Sequence, residues 1–157
     1  MNAAFMLGRI ALVILFIFSG AQKLTDIAGT ADQIQAKVAI PAALNDVTSQ
    51  IEATVKMPIW QVLAIVAAVI EVVGGLLIAF NVFTRTVAVI LLLYTAMTTF
   101  YIHDFWNMTG ADRTNNMFHA LKNLSIMGAF LILASWPRRA GIVEAHERGS
   151  PDRVEPL

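Results

Sequence analysis

The chain of 157 residues contains no cysteine. That absence excludes disulfides, thiol redox chemistry, cysteine-ligated iron–sulfur clusters and covalent c-type haem. Charge is scarce as well: Asp, Glu, Lys and Arg make up 14% of the residues, against about 25% in soluble domains. The net charge is zero, so there is no basic footprint for nucleic acid. No GxSxG surrounds Ser19 or Ser125, and Gly74-Gly75 belongs to an apolar helical run rather than a phosphate-cradling turn. No flavin motif is present either, so an electron carrier would have to be borrowed.

What the chain has is apolar residues, 57% of the total, with a mean hydropathy of +0.67. They gather into four runs near the ~20 residues a membrane helix needs: residues 5–22, 59–80, 86–102 and 118–136. Arg9, the apolar stretch after it and "SGA" also imitate the three regions of a signal peptide. The polar residues of this run are placed as if they belonged to a bundle, which favours a retained span. "NVFTR" joins the second and third runs and permits only a tight helical hairpin, with Asn81 at the helix end and Thr84 as the next N-cap. Residues 24–58 repeat Ile27, Ala31, Ile34 and Val38, then Leu44, Val47, Ile51 and Val55, at helical spacing, with Pro41 between. They read as two short amphipathic helices on the interface or capping the bundle. Residues 140–157 are charged and read as a disordered tail. The expected fold is all-α, an integral membrane antiparallel four-helix bundle over residues 1–139. Arg9, Arg85, Arg138 and Arg139 fall on one side, which places both termini in the cytoplasm and the loop 24–58 in the periplasm.

One carboxylate, Glu71, interrupts "IVAAVIEVVGGLLIA". An ionisable group there costs about 2.5–3.5 kcal/mol on insertion scales. Ala64, Ala67, Ala68, Glu71, Gly74 and Gly75 form one helical stripe, and small residues mark a packed face, so Glu71 points inward. Counting depth at 1.5 Å per residue leaves a gap of roughly 7 Å from Glu71 to Arg9 and roughly 12 Å to Lys122. Arg9 is therefore the expected partner, as a structural ion pair or a proton relay. Lys122 and a protonated Glu71 are the alternatives. Gln22, Lys23, His103, His119, Lys122 and Asn123 crowd the outer mouth, where a ligand-binding group is expected.

The stretches "GRIALVILFIFSGAQKL", "IEVVGGLLIAFNVFTR", "YIHDFW" and "HALKNLSIMGAFLIL" resemble the DoxX family of small four-helix bacterial membrane proteins, over residues 5–137. The loop around "ALNDVTSQIEATVK" is longer than usual for that family. The resemblance implies an antiparallel membrane bundle in the inner membrane and a link to redox systems. Relatives include the membrane subunit of a thiosulfate:quinone oxidoreductase, and the family is associated with oxidative and thiol stress. The motif match singles out Arg9, Lys23, Glu71, Arg85, His103, His119, Lys122 and Asn123.

Three functions compete. The first is a quinone-binding subunit for a partner oxidoreductase: His103, His119, Lys122 and Asn123 would donate to the head, Tyr94, Tyr101, Phe105 and Trp106 would offer ring surface, and Glu71 with Arg9 would relay protons. The second is a b-type haem or metal site at His103 and His119 with Asp104, which Lys122 disfavours, so no metal set is assigned. The third is an assembly or lipid-carrier module without redox chemistry. Membrane lipids are expected partners in each, and an oligomer is left open.

Overall fold

A computed structural model describes residues 3–135. The expected tail and the last residue of the fourth run lie outside the described residues. Six α-helices follow in order: α1 Ala3–Thr25, α2 Ile27–Lys37, α3 Asn45–Val55, α4 Ile59–Ala79, α5 Thr84–Tyr101 and α6 Gly110–Ser135. Short 3₁₀ turns at Ala42–Leu44 and Phe105–Asn107 precede α3 and α6. No strand occurs among the described residues.

α1, α4, α5 and α6 coincide with the four apolar runs, and each is long and apolar enough to cross a membrane. The 21 residues of α4 rise about 32 Å, matching a hydrocarbon core of about 30 Å. Leu7, Ile14 and Phe18 on α1, Val69 and Val73 on α4, and Leu131 and Ile132 on α6 stand exposed on the outside of the bundle. Lipid, not water, accommodates such a surface. The fold is an all-α membrane bundle with two short amphipathic helices in the first loop.

Close approach of α1 and α4 sets the register of the bundle. A Cβ on Gly20 would lie 2.8 Å from the Ala68 carbonyl oxygen and 2.9 Å from the Glu71 Cβ. A Cβ on Gly75 would lie 2.7 Å from Ile17. Ala64, Ala68, Glu71, Gly74 and Gly75 are buried, as the small-residue stripe requires, while Ala67 is half-buried. α5 and α6 form the other close pair, joined to the first through α4 and α5. Phe16 of α1 meets Phe130 of α6 across the bundle at 5.3 Å between ring centroids. Around them Val13, Ile78, Val87, Ala88, Leu91 and Leu133 form the core of the half away from the first loop.

The first loop is built onto this frame. Asp26 caps α2, accepting from the Gly29 N–H at 2.9 Å, and α2 lies against α4. α3 buries no residue, yet its Glu52 carboxylate accepts from the Ile59 N–H at 2.7 Å. That carboxylate meets an otherwise orphaned donor at the positive end of α4, where Pro58 offers no side-chain cap. The loop therefore caps the bundle.

Two boundaries differ from expectation. α6 begins at Gly110, two turns before the apolar run at 118, because hydropathy marks membrane depth while "DRTNN" continues the helix beyond it. Thr84 is the first residue of α5 rather than its cap: Phe83 takes the cap position with φ 47°, and the Thr84 hydroxyl donates to Asn81 Oδ1 at 3.0 Å.

Candidate functional site

Glu71 is answered by Lys23. The Lys23 ammonium lies 2.8 Å from Oε2 and 3.0 Å from Oε1, and also donates to Ser19 Oγ at 2.7 Å. The Tyr94 hydroxyl donates to Glu71 Oε1 at 2.6 Å. Two donor groups, one from α1 and one from α5, thus make three hydrogen bonds to one carboxylate on α4, whose side chain is 5% exposed against 25% for that of Lys23. Pairing and hydrogen bonding offset the cost of placing the charge there.

The expected Arg9–Glu71 pair does not form. Gly20 is level with Glu71, so Lys23 stands one turn above and Arg9 about 16 Å below along α1. The expected gap of roughly 7 Å holds only if the ends of the antiparallel spans are level. In fact α4 runs on past the end of α1 into the layer that α2 and α3 cover. Arg9 is buried near the N-terminal end of α1, with its guanidinium carbon 5.4 Å from the Phe5 ring centroid. Its Nε and Nη1 have no hydrogen-bond partner among the described residues.

Above Glu71 opens a cavity of about 560 Å³. Its deep end holds Ser19, Lys23, Glu71, Tyr94 and Thr95, with Leu15, Phe16, Leu63 and Met97 supplying apolar wall. Thr98, Tyr101, His103, Lys122 and Asn123 carry the wall outward along α5 and α6. α2 and the segment through Pro41 to Leu44 line its remaining side. An ion pair between Lys37 and Asp104, at 3.0 Å, ties the end of α2 to the start of the α5–α6 connection.

Of the expected site residues, Lys23, Glu71, His103, Lys122 and Asn123 line this one space. His119 joins it indirectly. Its ring stacks on His103 at 4.9 Å and 15°, and Lys122 donates to its Nδ1 at 3.3 Å. Arg9, Arg85 and Gln22 are not among the lining residues. The two tautomers follow from the partners. Asn116 donates through Nδ2 to the Asp112 carbonyl, so its Oδ1 faces His103 at 3.0 Å and His103 Nδ1 carries the hydrogen. An ammonium faces His119 Nδ1, so that nitrogen accepts and the hydrogen sits on Nε2.

This stacking does not fit the haem or metal alternative. Stacked rings present their nitrogens side by side rather than converging on one ion, and Asp104 is engaged by Lys37. Among the described residues no three His, Asp or Glu side chains gather as a metal set.

Two side chains that bond to the candidate site, Tyr94 and Asn116, lie outside the polar seam expected from the sequence. Tyr94, expected as ring surface near the mouth, reaches the buried carboxylate with its hydroxyl. Its spacing with Thr98 and Tyr101 on one face of α5 was the available signal. Asn116 lies in the polar turns of α6 that precede the apolar run.

Comparison with known proteins settles the family. Residues 4–104 match the DoxX family. The chain belongs to the DoxX family. The inner membrane protein YphA of Escherichia coli K12 is 36% identical over 129 residues, covering 82% of this chain and 79% of YphA. The inner membrane protein YqjF of the same organism is 31% identical over 129 residues, covering 82% of this chain and 80% of YqjF. No solved structure matches. The DoxX match spans α1 to α5 and so includes Lys23, Glu71, Tyr94 and His103.

Proposed function

We propose that this DoxX protein is an inner-membrane module that binds a lipophile, best matched by a quinone, as the membrane part of a redox system. Its termini lie in the cytoplasm. The observation that carries this reading is the cavity: one space runs from a buried, paired carboxylate at membrane depth to a polar mouth, between helices that otherwise face lipid. Its volume falls within the ~300–1,000 Å³ of small-molecule sites. Leu15, Phe16, Leu63 and Met97 suit a ring and the start of an apolar tail, while Ser19, Asn123 and Lys122 offer donors to a head. A bound quinone would supply the capacity to take up two electrons and two protons. The chain, lacking cysteine, leaves electron delivery to a partner oxidoreductase. Its own residues bind and orient the head, and the Tyr94 hydroxyl against Glu71 can hold a proton at the cavity wall.

Organic extraction of the protein purified in mild detergent, read by mass spectrometry, tests this. A near-stoichiometric quinone is expected, and Lys122→Met or His119→Ala should reduce it by tenfold or more while leaving the circular dichroism unchanged. A preparation carrying phospholipid alone would replace the redox reading with a lipid-carrier or assembly module. The exposed α3, which buries none of its residues, would then be the surface to delete.

A further inference from the structure

The cavity wall can be sorted into groups that can still donate a hydrogen bond and groups that can only accept one. The Thr95 hydroxyl donates to the Leu91 carbonyl at 2.6 Å, and the Thr98 hydroxyl to the Tyr94 carbonyl at 2.9 Å. Tyr94 donates to Glu71. His103 Nδ1 is committed to Asn116. Lys23 spends its hydrogens on Ser19 and the two Glu71 oxygens. Each of these groups lines the cavity, and each has used its hydrogens within the protein. What they turn to a ligand is lone pairs: Thr95 Oγ1, Thr98 Oγ1 and His103 Nε2. Asn123, which donates through Nδ2 to Thr99 Oγ1 at 3.0 Å, adds its Oδ1. The donors left away from the rim are the Ser19 hydroxyl and the second Asn123 amide hydrogen. Gln33, Tyr101 and Lys122 are exposed and stand at the rim.

We infer that this cavity selects a ligand whose head donates hydrogen bonds, and therefore holds the reduced, dihydroxy form of a quinone in preference to the oxidised, dicarbonyl form. The inference rests on the reading above that the lipophile is a quinone. A hydroxyl placed against the α5 wall donates to an acceptor there and can also accept from Ser19 or Asn123. A carbonyl in the same place meets lone pairs, and both sides lose their hydrogen bonds to water without replacement. Sites built around a hydrogen-bonded hydroxyl discriminate strongly against analogues that cannot make that bond. A preference of about tenfold is the expected scale. It would raise the midpoint potential of the bound couple by about 30 mV per tenfold for two electrons, making it a better electron acceptor.

The test is equilibrium dialysis of the full-length protein in nanodiscs, kept anaerobic, against three probes that share one short apolar tail: a benzoquinone, its hydroquinone and the hydroquinone dimethyl ether. The ether keeps the ring and both oxygens of the hydroquinone, adds a methyl group to each, and loses both O–H donors. The hydroquinone should bind about tenfold more tightly than either other probe, and Thr98→Val should narrow that ratio by weakening hydroquinone binding more than quinone binding. Equal binding of hydroquinone and ether, or tighter binding of the quinone, would overturn the donor preference and leave quinone binding standing. Failure of all three probes to bind a folded protein would overturn the quinone reading and the preference together.

Discussion

Glu71 shows how a residue that is costly by itself becomes stable through its neighbours. On the residue scale its charge is met by Lys23 and its remaining lone pairs by Tyr94. Removing one partner leaves the other charge in a poorly solvated site, and the loss exceeds the net worth of the pair. Lys23→Met and Glu71→Gln should each lower stability by about 2–4 kcal/mol, toward the lower figure for Lys23, which is partly exposed. The double variant should cost less than the sum, and unfolding in detergent measures the coupling. Strict additivity would mean that the two groups do not act as a pair. Arg9 has the opposite character. It is nearly fully buried against the Phe5 ring, with Nε and Nη1 unmet among the described residues. The inward direction of Glu71 is legible in the sequence because small residues share its stripe. Its partner is not, because Arg9 and Lys23 lie on the same side of α1, two heptads apart, and only the vertical offset of two helices distinguishes them.

Among elements, the α1–α4 contact sets that offset. Gly20 and Gly75 let the two backbones meet where any side chain would collide. Gly20→Ala should therefore destabilise the protein by about 1–3 kcal/mol, the scale of overpacking. Gly128 has nothing within 4 Å of an added Cβ, and Gly128→Ala should be neutral or stabilise α6 by up to about 1 kcal/mol. Thermal unfolding of the two variants side by side checks the contrast, and similar losses from both would argue against the tight α1–α4 seam. The amphipathic repeats of the first loop were legible as two helices. That α2 walls the cavity while α3 caps α4 through Glu52 was not, since both repeats carry the same pattern and differ only in what they dock against.

As a whole molecule the protein has two unlike ends. One end carries α2, α3 and the cavity mouth. The other carries the α4–α5 turn, where Phe80 and Phe83 are exposed at 75% and 76%. With no native cysteine, single labels report sidedness cleanly. With the proposed orientation, Ser49→Cys on α3 should react with an impermeant maleimide in intact cells, and Val82→Cys in the turn only after permeabilisation. The reverse pattern would invert the assignment of the termini, and with it the side from which a ligand head enters.

The amino-acid sequence by itself determined the solvent and the architecture. Runs of about 20 apolar residues can satisfy their backbones in lipid only as helices, and small-residue stripes dictate which faces close on one another. Composition also removed whole chemistries, since a chain without thiols cannot perform thiol exchange. What only the tertiary structure decided is register. Periodicity states which way a side chain points around a helix but not how far one helix is shifted along its neighbour. That shift hands Glu71 to Lys23 instead of Arg9 and brings Tyr94 from another helix to the same carboxylate. The fold likewise settles which hydrogens are spent inside the protein, and so which atoms remain to greet a ligand.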